Sequence, residues 1–209
     1  MEDRVYAVLM ASGFSRRFGR ANKLIVPFDG KPLARYTLEL VLDRGFFFSS
    51  IFLVTAYDEV AVLGEDLSGI TVIRNRANEK GQRESIRLGV EVSSLAEASL
   101  VSRAPKSGGE AYYLFFPCDQ PFLDPPTVKR ILEARRPGCI VEPCCRGEPG
   151  SPSLFSAFFK TELLSLGEGE HPRDIKKRNP AALISVELPD PLPLTDVDDS
   201  FSWRKDLSP

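Results

Sequence analysis

Four cations fall within eight residues of one another in a stretch otherwise rich in small side chains: Met10-Ala11-Ser12-Gly13-Phe14-Ser15-Arg16-Arg17-Phe18-Gly19-Arg20-Ala21-Asn22-Lys23-Leu24. Small residues let a backbone approach a ligand closely, and successive backbone N–H groups can form a nest for an anion. Arg16, Arg17, Arg20 and Lys23 add positive charge. A triphosphate needs both, many donors and charge neutralisation. The spacing of Gly13 and Gly19, with Arg20 where Lys-Ser/Thr would stand, excludes a Walker A loop, and no GxGxxG is present, which disfavours a dinucleotide site. The plain alternative is a solvated basic loop after a strand, and the chemistry of the loop alone leaves both open.

Two acidic sites could complete such a centre. Pro117-Cys118-Asp119-Gln120-Pro121 follows a strongly apolar run, so Asp119 sits at a strand end, where a carboxylate can reach Mg²⁺. A simple turn is the alternative, since Asp and Pro are common turn formers. Near the C-terminus stands Asp196-Val197-Asp198-Asp199. In an extended segment Asp196 and Asp198 share one side and suit a hard cation that keeps several waters. A helix N-cap at Asp199 or Ser200, ahead of a helix over 201–207, is the competing reading. The single histidine, His171, precedes a proline and reads as a surface-loop residue, and no Ser-His-Asp or Cys-His set is evident.

The elements that must position these residues alternate. Strands are expected at Arg4 to Met10, Ser50 to Thr55, Ile70 to Ile73, Tyr112 to Phe116, Gly138 to Glu142, Ser153 to Phe155 and Leu183 to Glu187. Helices are expected after Pro32 and over Asp58 to Gly64, Glu84 to Ala96, Pro125 to Arg135, Phe158 to Leu166 and Arg173 to Arg178. Ser99 to Glu110 reads as a mobile surface loop, and Pro189 to Pro193, with three prolines, as extended chain. This order predicts a three-layer α/β/α, Rossmann-like domain with a mostly parallel sheet, spanning 1–209. Ligands of such sheets bind beyond the carboxyl ends of the strands, where the motifs above fall.

The chain has 209 residues, 43% hydrophobic and 27% charged, and a net charge of −2, so no basic field marks it for nucleic acid. No apolar run approaches the ~20 residues of a membrane helix. Glu2 and Asp3, not cations, precede the first apolar run, so no signal peptide is expected. The cysteines, Cys118, Cys139, Cys144 and Cys145, form no CxxC pair and read as reduced thiols of a cytoplasmic protein.

The loop from Met10 to Leu24, followed by Gly30-Lys31-Pro32-Leu33, resembles the signature of the MobA-like nucleotidyltransferases, roughly LAAGxSxRMGxxNKLL followed by GxPL. The resemblance runs from about Tyr6 to Leu207. It implies the nucleotide-diphospho-sugar transferase type of fold. Met10, Ala11, Ser12, Gly13, Ser15 and Arg16 would wrap the nucleotide, and Arg17 and Lys23 would stabilise charge on the transferring phosphates. The segment from Asn75 to Gly89 resembles the family's GMSSSLRLG: Gly81 and Ser85 match and would approach base and ribose, while Gln82 and Glu84 depart. The Asp-Gln-Pro triplet after Pro117 resembles the version in molybdenum cofactor cytidylyltransferases, and Asp196-Val197-Asp198 their DIDTPEDL segment. That makes Asp119, Asp198 and Asp196 the implied Mg²⁺ ligands and Pro117 part of the nucleotide site. Gly147 to Phe155 resembles GxRGHPVLFS, with Pro149 and Ser151 departing, and Arg173 matches the arginine of GxxGARxLL. Gln120, Ser151 and Arg173 are thus the implied acceptor-binding residues.

The resemblance implies Mg²⁺-dependent transfer of a nucleoside monophosphate. CTP is favoured, because the guanylyl branch carries LAGG at the loop and the cytidylyl branch LAAG, and Ser12 has a side chain at the deciding position. The implied acceptor is molybdopterin bearing molybdenum, with a molybdenum hydroxylase as eventual recipient; a sugar or polyol phosphate is the enzymatic alternative. A non-catalytic accessory protein that binds nucleotide or finished cofactor is the alternative of another class.

Overall fold

The structure is a computed structural model and describes residues 3–14, 22–103 and 109–197. Its frame is an eight-stranded sheet. β1 (Arg4–Ala11) lies inside it, parallel to β4 (Ser50–Thr55) on one side and to β6 (Ala111–Pro117) on the other. β5 (Ile70–Arg74) closes one edge beside β4. Beyond β6 comes β9 (Ser153–Ser156), antiparallel to both β6 and β7 (Ile140–Cys145), and β10 (Leu183–Glu187) closes that edge parallel to β7. The two-residue strand β8 (Glu148–Pro149) folds back on β7. A separate hairpin of β2 (Pro27–Phe28) and β3 (Lys31–Pro32) turns at Asp29 and Gly30, which have φ of 44° and 86°. Both residues of a two-residue type I′ turn need positive φ, and Asp-Gly is the pair that supplies it cheaply.

Alternation along β1 assigns its side chains to two cores. Val5, Ala7, Leu9 and Ala11 face a core shared with α1 (Leu33–Val41), α2 (Asp58–Glu65) and α4 (Pro125–Glu133) through Leu38, Val60, Val128 and Ile131. Tyr6 and Val8 face the other, shared with α3 (Gln82–Arg103), α5 (Lys160–Leu164) and α6 (Pro172–Arg178) through Ile86, Val90, Leu163 and Ile175. These are the three layers expected. Gly89 lets α3 lie against β1, because a Cβ there would come within 2.4 Å of Val8 Cγ1.

The chain leaves β1 toward β4 and β5, then crosses back over α3 to β6 on the far side of β1. The direction of winding therefore reverses between β1 and β6, the position at which open α/β sheets leave a crevice. Among the described residues no helix is long and apolar enough to cross a membrane.

Several boundaries differ from expectation. α3 runs on to Arg103, so the first part of the expected loop Ser99 to Glu110 is helix, while 104–108 lie outside the described residues. The periodicity was masked because Leu95 and Leu100 project into solvent at this end of the helix. Within Pro189 to Pro193 the chain is not simply extended, since Leu192–Leu194 close a 3-10 turn. β7 continues through Pro143 to Cys145, and the expected helix after Phe158 begins as a 3-10 turn, Ala157–Phe159, before α5. The expected helix over 201–207 lies outside the described residues.

Candidate active site

The crevice between the ends of β1 and β6 holds a cleft of about 330 Å³, lined by Met10, Ser12, Gly13, Phe14, Asn78, Gly81, Gln82, Ser85, Pro117 and Asp119. Hydrogen bonds stitch the end of β1 and the start of the glycine loop to β4. Ser12 Oγ donates to the Val54 carbonyl at 3.1 Å, Thr55 Oγ1 to the Ala11 carbonyl at 3.0 Å, and Tyr57 Oη to the Gly13 carbonyl at 2.9 Å. Ala11 is itself fully buried in the sheet. Its small side chain belongs to the core and its carbonyl to this seam.

Lys23 and Asp119 meet across the chain. The Lys23 ammonium lies 2.5 Å from Asp119 Oδ2 and donates to the Val197 carbonyl at 3.2 Å. Asn22 caps the short 3-10 turn that presents Lys23, its Oδ1 accepting from Leu24 N–H. The Val197 N–H donates to the Asp119 carbonyl at 2.9 Å, so the C-terminal segment is laid against the Asp119 turn. Gln120 anchors the same segment. Only 3% exposed, its amide donates to Asp196 Oδ1 at 2.8 Å and to the Leu194 carbonyl at 3.2 Å. Asp196 therefore lies beside Gln120, and Gln120 lines neither pocket. Ser15, Arg16, Arg17 and Asp198 lie outside the described residues.

The α3 side of the cleft is also prepared. Gly81, at φ 78°, turns the chain into α3, and the Asn75 amide donates to Ser85 Oγ at 3.2 Å. Glu84, which departs from the family segment, is buried and turned away to Arg87, whose guanidinium donates to both its oxygens. Those bonds hold its carboxyl below the usual carboxylate range. Burial pushes the Cys118 thiol far up and the Cys144 thiol up to about 11, so neither is a nucleophile at neutral pH.

A second, smaller pocket of about 200 Å³ adjoins the first and shares Met10 and Gln82 with it. Met10 and Pro172 contribute apolar surface over the buried rings of Phe115 and Phe155, and Ser151, Ser153, Arg173 and Lys176 contribute polar groups. Two of the implied acceptor residues, Ser151 and Arg173, come together here. His171, read from sequence as a surface-loop residue, lies on this pocket, with Nδ1 3.4 Å from Gln82 Oε1. Lys176 was missed altogether. Nothing in its local sequence marks it, because its partners are Glu142 and Ser153, far away in the chain.

The donor set suits a hard cation. Asp119 offers carboxylate oxygen inside the cleft, and Mg²⁺ is commonly held by one or two carboxylates together with waters and substrate phosphates. Among the described residues no group of three or more His, Cys, Asp or Glu side chains gathers into a fuller cage.

Comparison with known proteins agrees with this geometry. The pattern of the MobA-like NTP transferase domain matches residues 7–182. Nicotine blue oxidoreductase of Paenarthrobacter nicotinovorans is 29% identical over 136 residues, 65% of this chain and 59% of that relative, so the match spans less than two thirds of its length. Among solved structures, the nucleotidyl transferase Mth528 of Methanothermobacter thermautotroptrophicus superposes with a TM-score of 0.77 at 22% identity, covering 97% of this chain and 95% of that one. Rv0371c of Mycobacterium tuberculosis does so at 0.72 and 21%, covering 98% and 97%, and has also been solved with manganese. At these identities the superpositions speak for the fold, as does that of a cytidylyltransferase from Leptospira borgpetersenii at a TM-score of 0.58 and 16% identity, covering 91% of this chain and 76% of that one. With its pattern matched over most of its length, the chain belongs to the MobA-like NTP transferase domain family of nucleotidyltransferases.

Proposed function

We propose that the chain transfers CMP from CTP to a phosphorylated acceptor, preferentially molybdopterin bearing molybdenum, and releases pyrophosphate, as a cytoplasmic enzyme. The observation that carries this reading is the meeting of Lys23 with Asp119, 96 residues away, where Asp119 lines a cleft at the switch point of the sheet. An oxygen of the acceptor phosphate attacks the α-phosphorus, the new O–P bond forms, and the bond to the bridging oxygen of the β-phosphate breaks. Lys23 and Arg17 offset the charge that accumulates on the departing pyrophosphate. Met10, Ser12, Gly13, Ser15, Arg16, Gly81, Ser85 and Pro117 bind the nucleotide. Asp119, with Asp198 and Asp196, would hold Mg²⁺, which would supply neutralisation and alignment of phosphate oxygens. Ser12 supports CTP, since a side chain on the cleft wall leaves less room for a purine. The smaller pocket takes the acceptor, with Ser151 and Arg173 as its donors and Gln120 acting through the segment it anchors.

The departures at Pro149, Ser151 and Glu84 favour a second reading, an accessory protein that binds nucleotide or finished cofactor for a molybdenum hydroxylase without turning it over. Thermal unfolding with CTP, GTP, ATP and UTP, each with Mg²⁺, on the wild type and Asp119→Ala tests the nucleotide. NADH serves as a control for the oxidoreductase name of the curated relative. A ligand at a hundred times its Kd adds about 2.7 kcal/mol, roughly 5–10 °C for this chain length. A shift with CTP, reduced in Asp119→Ala, is expected; a GTP-selective shift moves the reading to guanylyl transfer. Pyrophosphate release with molybdopterin and sugar-phosphate acceptors then separates enzyme from accessory protein.

A further inference from the structure

The smaller pocket contains two cations from one face of α6, three residues apart, and their surroundings are unlike. Arg173 is exposed and has no ion pair among the described residues. Lys176 is nearly buried, its side chain 14% exposed, and its ammonium lies 2.6 Å from Glu142 Oε2 and 2.7 Å from Ser153 Oγ. The Glu142 side chain is 8% exposed, so the pair sits away from bulk water. Ordinary burial would make an ion pair weak evidence of stabilisation, since desolvation offsets the attraction. Here it has a further consequence, because the pair borders a pocket. An anion approaching the Lys176 ammonium also feels the Glu142 carboxylate 2.6 Å from it, and the two fields largely cancel. An ammonium has three N–H donors. Two are used by Glu142 and Ser153, and the third has no partner among the described residues.

We propose that Lys176, charge-cancelled by Glu142 and held by Ser153, is the specificity-determining donor of the smaller pocket and binds an uncharged hydrogen-bond acceptor of the ligand, leaving Arg173 to take its anion. The inference rests on the reading of that pocket as the acceptor site. The substrate class that follows has two parts. One is an anionic group near the rim, reached by Arg173. The other is an uncharged portion carrying a carbonyl, a ring nitrogen or a hydroxyl oxygen, seated against Lys176 and the apolar surfaces of Met10 and Pro172. An acceptor with a second anionic group at that depth is disfavoured, because Glu142 repels it.

The test uses inorganic phosphate as the probe, titrated by calorimetry into the full chain. Wild type, Glu142→Gln, Lys176→Met and the double variant Glu142→Gln/Lys176→Met are compared, so that binding in the larger cleft is a shared background. Glu142→Gln leaves Lys176 uncompensated and is expected to tighten phosphate binding several-fold. The double variant removes both charges and is expected to return to the wild-type affinity; replacing a buried pair together is commonly tolerated by the fold. If Glu142→Gln fails to fold, the double variant and Lys176→Met carry the comparison, with Lys176→Met binding phosphate more weakly than either wild type or double variant. Equal phosphate affinity across the folded variants overturns the proposal, since Lys176 would then not face the pocket.

The acceptor that supports the fastest pyrophosphate release is measured in parallel. Its KM is expected to rise roughly tenfold or more in the double variant, the loss of a hydrogen bond to a charged donor, with nucleotide affinity unchanged. An unchanged KM overturns the proposal as well. If no acceptor supports release, the transferase reading falls by itself, and the phosphate titration still decides the role of Lys176.

Discussion

The two pockets share Met10 and Gln82, yet they are walled differently. The larger one lies off the ends of parallel strands β1 and β6; Ser12, Gly13 and Asp119 follow those strands within two residues, and the start of α3 after β5 adds Gly81, Gln82 and Ser85. The smaller one lies where the sheet turns antiparallel, between β6, β9 and α6, and collects side chains from positions 115, 151–155 and 171–176. Parallel strands end together at one rim of the sheet, so short segments after them converge by topology alone. An antiparallel strand enters the same rim at its start, and convergence there depends on how a helix from elsewhere is docked. The first arrangement suits binding common to many members of a fold; the second suits discrimination that varies with the docked helix.

Changes that separate the pockets sharpen this contrast. The largest effect is expected from Lys23→Ala, a fall of roughly 10²–10³-fold in turnover measured as pyrophosphate release, with a much smaller change in melting temperature. Normal turnover in the purified variant removes Lys23 from the chemistry. Next comes Arg173→Ala, for which the acceptor KM should rise by about tenfold while the thermal shift with CTP stays as in wild type. If the nucleotide shift fell with it, the two pockets would not be separate sites.

Gly89→Ala tests the scaffold beneath both. With its Cβ 2.4 Å from Val8, the helix must back away from β1, and chemical denaturation should show a loss of about 1–3 kcal/mol. A neutral result would mean that α3 shifts freely, and that its contribution to the larger cleft is not rigidly placed.

The smallest effect concerns Glu84. Its hydrogen bonds from Arg87 lower the folded-state pKa relative to the unfolded chain. The stabilisation is therefore present above the ordinary carboxylate pKa and is lost as pH falls through the folded value. The stability difference between wild type and Glu84→Gln should shrink as pH is lowered below about 4. A difference that grows instead would show that Glu84 is not held by Arg87.

How much of this could be read in advance follows the same division. Asp119 and the alternation of strands and helices are local patterns, and the structure has them where the sequence indicated; of the glycine loop it describes only the ends, 10–14 and 22–24. Ser12, Gly13, Gly81, Ser85, Pro117 and Asp119 come together on one cleft. Gln120, which the resemblance implies as an acceptor-binding residue, turns its amide to the C-terminal segment, because its choice of side depends on where residues 194–197 are laid. That His171 and Lys176 reach the smaller pocket has no local signal, since the groups they meet, Gln82, Glu142 and Ser153, are between 23 and 89 residues away.

The sequence by itself determined the family, the layered α/β architecture and the placing of Asp119 at a strand end, because each rests on neighbouring residues whose geometry is set by the local backbone. Only the tertiary structure decided that Lys23 pairs with Asp119, that a second pocket opens beside Gln82, and that Glu142 pairs with Lys176. Those facts depend on distances between segments remote in the chain, and packing in three dimensions, not periodicity along the chain, sets them.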